Sequence, residues 1–158
     1  MRTHGIEEIL SDHPVFRDFD ATTLALLVGC ARNEHFHAGD RIFAEDDPAD
    51  RVFILRYGDV AVEIATPERA PIIVETLHPG DVLGWSWMVP PYRHMSDARA
   101  LTDIRAVSLG ADCIRKKCDD NPVLGYQMFS HLLPHMALRL RTLRLQLLDL
   151  YGPGSGPA

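Results

Sequence analysis

Between Asn33 and Leu109 the chain falls into short β-forming runs, HFHAGD, RIFAEDDPAD, RVFILRYGDV, AVEIATPERAP, IIVETLHPGD and RALTDIRAVSL, separated by turn signals. Strands this short and this evenly spaced cannot each bury a face alone, and they predict a sandwich or barrel-like roll. Gly39, Gly58 and Gly80 each stand immediately before an Asp, a pairing that supplies positive-φ freedom and a side-chain acceptor at a tight corner. Repeated corners of this kind suit a jelly roll. The segment Thr66 to Pro71 is polar and twice punctuated by proline, so it reads as a surface hairpin loop rather than a linker.

Helical periodicity flanks the β region on both sides. Gly5 to Leu10 predicts a short helix, His13-Pro14-Val15-Phe16 a break, and Asp20 or Thr22 the cap of a second helix carrying Leu24, Leu27 and Val28. After Asp112 the pattern is helical again, with Asn121 as an N-cap before Pro122 and a run that extends to Tyr151. Pro134 should distort a turn of this helix. Leu133, Met136, Leu140, Leu143, Leu147 and Leu150 repeat at intervals of three and four, the a/d seam of a coiled coil, and predict a parallel homodimer. Packing of these leucines on the chain's own roll is the alternative. GPGSGPA ends the chain as a flexible tail.

At 158 residues, 46% hydrophobic and 24% charged, the chain has the size and composition of one ordinary globular domain. We divide it into a single domain over 1–151 (helices 1–32, roll 33–110, helices 111–151) and a tail over 152–158. No apolar run approaches the roughly 20 residues needed to span a bilayer, and the first residues do not form an export signal, so a cytoplasmic protein without membrane association is expected. Cys30, Cys113 and Cys118 lack metal or redox spacing, and reduced thiols are expected. A net charge of −6 offers no general attraction to nucleic acid.

Phe36, Gly39, Asp40, Ile42, Asp46, Ala49, Val52, Ile54, Gly58 and Val60 fall at spacings that resemble the cyclic-nucleotide-binding domain of the catabolite-activator and fumarate-nitrate-regulator family, over roughly residues 14 to 150. The resemblance implies a mainly β fold with flanking helices: a cyclic-nucleotide-binding-type double-stranded β-helix, or jelly roll, followed by a long C-terminal dimerisation helix. It also implies a phosphate cassette over 82–100, comprising Gly84, Trp85, Ser86, Trp87, Arg93, His94, Ser96 and Arg99. Gly84 matches the family glycine. Trp85 stands where the family has a Glu for the ribose hydroxyl, and the family Arg for the phosphate aligns with His94 or, with a shift of one, with Arg93. Indole is a donor only, and imidazole is largely neutral near pH 7, so weak or absent binding of cyclic AMP is expected. Trp85, Trp87, Met88, Val89 and Tyr92 could instead fill the pocket as core or form a cage for another small anionic or planar ligand.

Two histidine pairs invite a metal. His35 and His37 alternate along a strand, and His131 and His135 have helical i, i+4 spacing, but neither pair has a third ligand nearby in sequence, so no metal is expected. No nucleophile elbow, P-loop or HExxH motif is present, which points away from an enzyme. The expected function is a non-enzymatic regulatory or sensory small-ligand-binding module with a degenerate cassette. The alternative is a structural or protein-interaction subunit whose pocket tryptophan fills, with a regulatory protein as partner. A DNA-binding transcription factor ranks below both, since no recognition-helix candidate follows the last helix and no independent DNA binding is expected.

Overall fold

The computed structural model describes residues 5–152. The expected tail over 152–158 lies outside the described residues from 153 onward. The chain runs α1 (Ile6–Asp12), α2 (Ala21–Val28), β1 (Ala31–Phe36), β2 (Arg41–Phe43), β3 (Arg51–Tyr57), β4 (Val60–Thr66), β5 (Arg69–Leu77), β6 (Val82–Leu83), a 3₁₀ turn (Trp85–Met88), β7 (Asp97–Ala100), β8 (Ile104–Gly110), α3 (Ala111–Asp120) and α4 (Pro122–Leu150). Two four-stranded sheets, ordered β1-β8-β3-β6 and β2-β7-β4-β5, face each other as a β-roll. Every named strand pairing is antiparallel.

Residues from the two sheets, among them Phe53, Leu55, Val60, Leu77, Leu83, Ala98, Ala100, Ile104 and Ala106, fill the interior of the roll. The opposite face of the first sheet carries Val52, Ile54, Val107 and Leu109, which pack with Leu10, Leu24 and Leu27 and with Ile114, Leu124, Met128 and Leu132 from the helices. With both faces covered, β3 buries four consecutive residues, Val52 to Leu55, instead of alternating. The corner after β3 requires glycine: Gly58 has φ 86°, and a Cβ there would sit 2.1 Å from the Asp103 carbonyl oxygen.

Asp20 caps α2 by accepting from the Thr23 N–H at 2.7 Å, and Asn121 caps α4 through the Leu124 N–H. α4 then runs unbroken through Pro134, contrary to the distortion expected there. Ser130, whose carbonyl loses its helical donor to the proline, is exposed, and water replaces that bond cheaply. The thiols also depart from expectation. Cys30, at the foot of β1, and Cys113, in α3, form a disulfide with a Cα–Cα distance of 5.7 Å, while Cys118 stays free. A separation of 83 residues gives no local sequence signal for such a bond. Among the described residues no helix is long and apolar enough to cross a membrane.

Candidate functional site

The cassette begins where β6 pairs with β3. Gly84 caps the 3₁₀ turn in the left-handed region at φ 94°, ψ 55°, and an added Cβ would lie 3.1 Å from the Arg51 carbonyl and 3.6 Å from His94 Cε1. The turn brings Gly84 and His94 together. What surrounds them is another matter.

His94 is buried and lies flat on Phe43, with ring centroids 3.5 Å apart and an interplanar angle of 3°. Burial holds its imidazole below the ordinary value of 6.5, against the opposing pull of Asp50 and Asp47, so it is neutral near pH 7. A neutral ring stacked on Phe43 offers a phosphate no positive charge. Arg93 is exposed and donates to the Asp46 carbonyl at 2.6 Å. Arg99 points elsewhere, binding the buried Glu63 carboxylate from the neighbouring strand β4. Ser96 is half-buried just ahead of β7.

The tryptophans divide between two small cavities. Trp87 is buried and lines a cavity of about 180 Å3 with Tyr92, Arg115, Cys118 and Phe129. Trp85 lines one of about 120 Å3 with His13, Val82, His135, Leu138 and Arg139. Both indole N–H groups are buried without a hydrogen-bond partner. Ser86, Arg93 and His94 instead line an open cleft of about 530 Å3 with Glu45, Asp46 and the Pro90–Pro91 segment.

Three residues outside the expected cassette turn out to organise it. Arg139 of α4 makes a two-pronged pair with Glu75 of β5, at 3.0 and 2.6 Å, and donates to the Val82 carbonyl at 2.8 Å. Its guanidinium lies 5.7 Å from the Trp85 ring centroid. Arg115 of α3 donates to the Trp87 carbonyl at 2.6 Å and sits 4.3 Å over the Tyr92 ring. Each C-terminal helix therefore grips the cassette with one arginine. A planar guanidinium suits this task, because it can satisfy a carbonyl and a carboxylate while stacking on an aromatic face. The sequence held one signal for Arg139: it extends the inward stripe Leu124, Met128, Leu132 and His135 at helical spacing.

Beyond that stripe α4 presents its other face to solvent. Leu133, Leu140, Leu147 and Leu150 are all at least half exposed, Met136 and Leu143 less so. These are the residues of the predicted seam.

Comparison with known proteins agrees with this architecture. Residues 33–121 match the cyclic nucleotide-binding domain family. Among curated proteins, the CRP-like cAMP-activated global transcriptional regulator of Mycobacterium tuberculosis is 30% identical over 145 residues, which is 92% of this chain and 63% of that protein. The chain thus spans less than two thirds of the length of that relative. Among solved structures, a cyclic nucleotide-binding domain from Methylobacillus flagellatus superposes with a TM-score of 0.76 at 20% identity, covering 91% of this chain and 81% of that one. DNR from Pseudomonas aeruginosa superposes at 0.72 and 16% identity, covering 100% of this chain and 75% of that one. The chain belongs to the cyclic nucleotide-binding domain family and is related to the Crp/Fnr regulators.

Proposed function

We propose that this chain is a non-enzymatic regulatory module whose cassette is closed to cyclic nucleotides by its own side chains and coupled to the C-terminal helices through Arg115 and Arg139. The observation that carries the reading is the combined state of His94, Arg93 and Trp85. The first is stacked on Phe43, the second is turned to the Asp46 carbonyl, and the third is covered by the Glu75–Arg139 pair. The space at Trp85, about 120 Å3, is well below the roughly 300–1,000 Å3 of ordinary ligand pockets, and the open cleft of about 530 Å3 at Ser86 is lined by His94, a neutral ring, and by Arg93, whose guanidinium is bonded to a carbonyl. In this reading the module works as a homodimer through the exposed stripe of α4, and a change in the cassette reaches that interface through Arg139.

A second reading, a sensor for a small ligand other than a cyclic nucleotide, draws on two observations. The cleft along Ser86, Arg93 and His94 is large enough at about 530 Å3, and the two indole N–H groups are buried donors in want of an acceptor. Isothermal calorimetry with cyclic AMP and cyclic GMP tests the first reading: no saturable heat is expected, whereas sub-millimolar, one-per-chain binding of either nucleotide would overturn it.

A further inference from the structure

Away from the cassette, at the opposite corner of the first sheet, three potential metal ligands converge. His35, near the end of β1, and His37, one residue past it, have ring centroids 4.7 Å apart, and the Asp103 carboxylate lies 4.0 Å from His37 Nδ1. One ligand atom from each of the three falls within 4.8 Å of the others. Asp103 reaches this position across 66 residues of sequence, from the turn between β7 and β8. The third ligand that the histidine pair lacked in the sequence is supplied by the fold.

We propose that His35, His37 and Asp103 form a binding site for a divalent transition-metal ion of the zinc type. Zinc held by imidazole nitrogen and carboxylate oxygen at about 2.0–2.2 Å places its tetrahedral ligand atoms about 3.4 Å apart. The observed spread of up to 4.8 Å exceeds this by about 1.4 Å, and all three side chains are exposed, so their own bond rotations are unhindered by packing.

The backbone beneath is already fixed. The Ala38 N–H donates to the Asp103 carboxylate at 3.0 Å and orients it. The two turns are pinned by the Gly39 N–H to the Ala100 carbonyl and the Ala100 N–H to the Asp40 carbonyl, each at 2.8 Å. Close packing of Gly58 on the Asp103 carbonyl holds the same turn from the other side.

The donor set selects the ion. Two imidazoles and a single carboxylate favour zinc, nickel or copper over magnesium and calcium, which demand more oxygen ligands. Arg56 and Arg105 line the adjoining cleft of about 450 Å3 with His35, Tyr57 and Asp103, and their charge further disfavours a cation held by electrostatics alone.

The test is calorimetry of the untagged full chain with zinc chloride, paired with cobalt chloride and visible absorption, which reports tetrahedral coordination directly. One ion per chain is expected, and His35→Ala, His37→Ala and Asp103→Asn should each weaken binding at least tenfold. Asp103→Asn retains an acceptor for the Ala38 N–H, so its loss of binding reports ligation rather than collapse of the turn. His131→Ala combined with His135→Ala, which removes the other histidine pair, should leave binding unchanged. Absence of saturable zinc binding would overturn the proposal, as would binding that survives the three cluster variants or is abolished by the α4 double variant.

Discussion

Replacing Arg139 by methionine removes the clamp between α4 and the cassette while keeping an aliphatic stem against Trp85. The side chains of Arg139 and Glu75 retain 25% and 19% of their exposure, which places the pair between a surface ion pair worth under about 1 kcal/mol and a buried one whose breakage costs about 3–5 kcal/mol. The bond to the Val82 carbonyl is lost as well, and Glu75 is left half-buried without its partner. We therefore expect Arg139→Met to destabilise the fold by about 2 kcal/mol. For a chain of this length that is a fall in Tm of about 4–8 °C. Urea unfolding at one fixed protein concentration, carried through the double-mutant cycle with Glu75→Gln, should give a coupling energy of about 1–2 kcal/mol. Coupling below about 0.5 kcal/mol would mean that the two side chains do not hold one another, and the link from cassette to helix would fail with them.

Three further outcomes follow from the same structure. Cross-linking Cys30 to Cys113 across 83 residues should stabilise the chain by about 4–5 kcal/mol in the chain-entropy picture, so the urea midpoint should fall on reduction and in Cys30→Ser. A thiol assay of the denatured, unreduced protein should find Cys118 alone reactive, and an unchanged midpoint on reduction would refute the bond. Leu140→Ala with Leu147→Ala removes side chains that are half exposed within one chain and costs the monomer little. At a packed seam each truncation costs about 2–5 kcal/mol and occurs in both protomers, so light scattering should report monomer, and a double variant that remains dimeric would exclude the seam. Burial lowers the pKa of His94 and of His13, so the unfolded chain binds more protons than the folded one as the pH falls below 6.5. Stability should therefore be fully present above that value and decline on acidification through it, with a shallower slope in His94→Phe; an unchanged slope in that variant would show that His94 does not contribute.

The β-roll was legible because its corners are written locally. Each Gly-Asp pair marks a turn, and the short, evenly spaced β-forming runs between them mark the strands. The helix caps at Asp20 and Asn121 were legible for the same reason. What sequence reading missed depends on partners far away along the chain. Cys30 and Cys113 carry no spacing that distinguishes a disulfide from two thiols. Asp103 is an ordinary turn residue until the fold sets it beside His37. At the cassette, the identity of Trp85 and His94 already argued against a family-like phosphate site. Whether Arg93 could replace the missing arginine depends on its orientation, which the sequence does not carry; in the structure it donates to the Asp46 carbonyl. Glu75 and Arg115 gave no local signal. Arg139 gave one, its place on the inward stripe of α4, which its charge obscured because a charged residue on an apolar face is usually read as solvent-facing.

The closed cassette is tested most directly by nuclear magnetic resonance of the native protein titrated with cyclic AMP. The chain's two tryptophans, Trp85 and Trp87, provide indole N–H reporters, both buried in the cassette and both without a hydrogen-bond partner. With Gly84 they report on the turn at the head of the cassette. The indole signals and the Gly84 amide should stay in place in excess nucleotide. Saturable displacement of all three would mean that the nucleotide enters where His94, Trp85 and the Arg139–Glu75 pair now stand, and it would contradict the account at its centre.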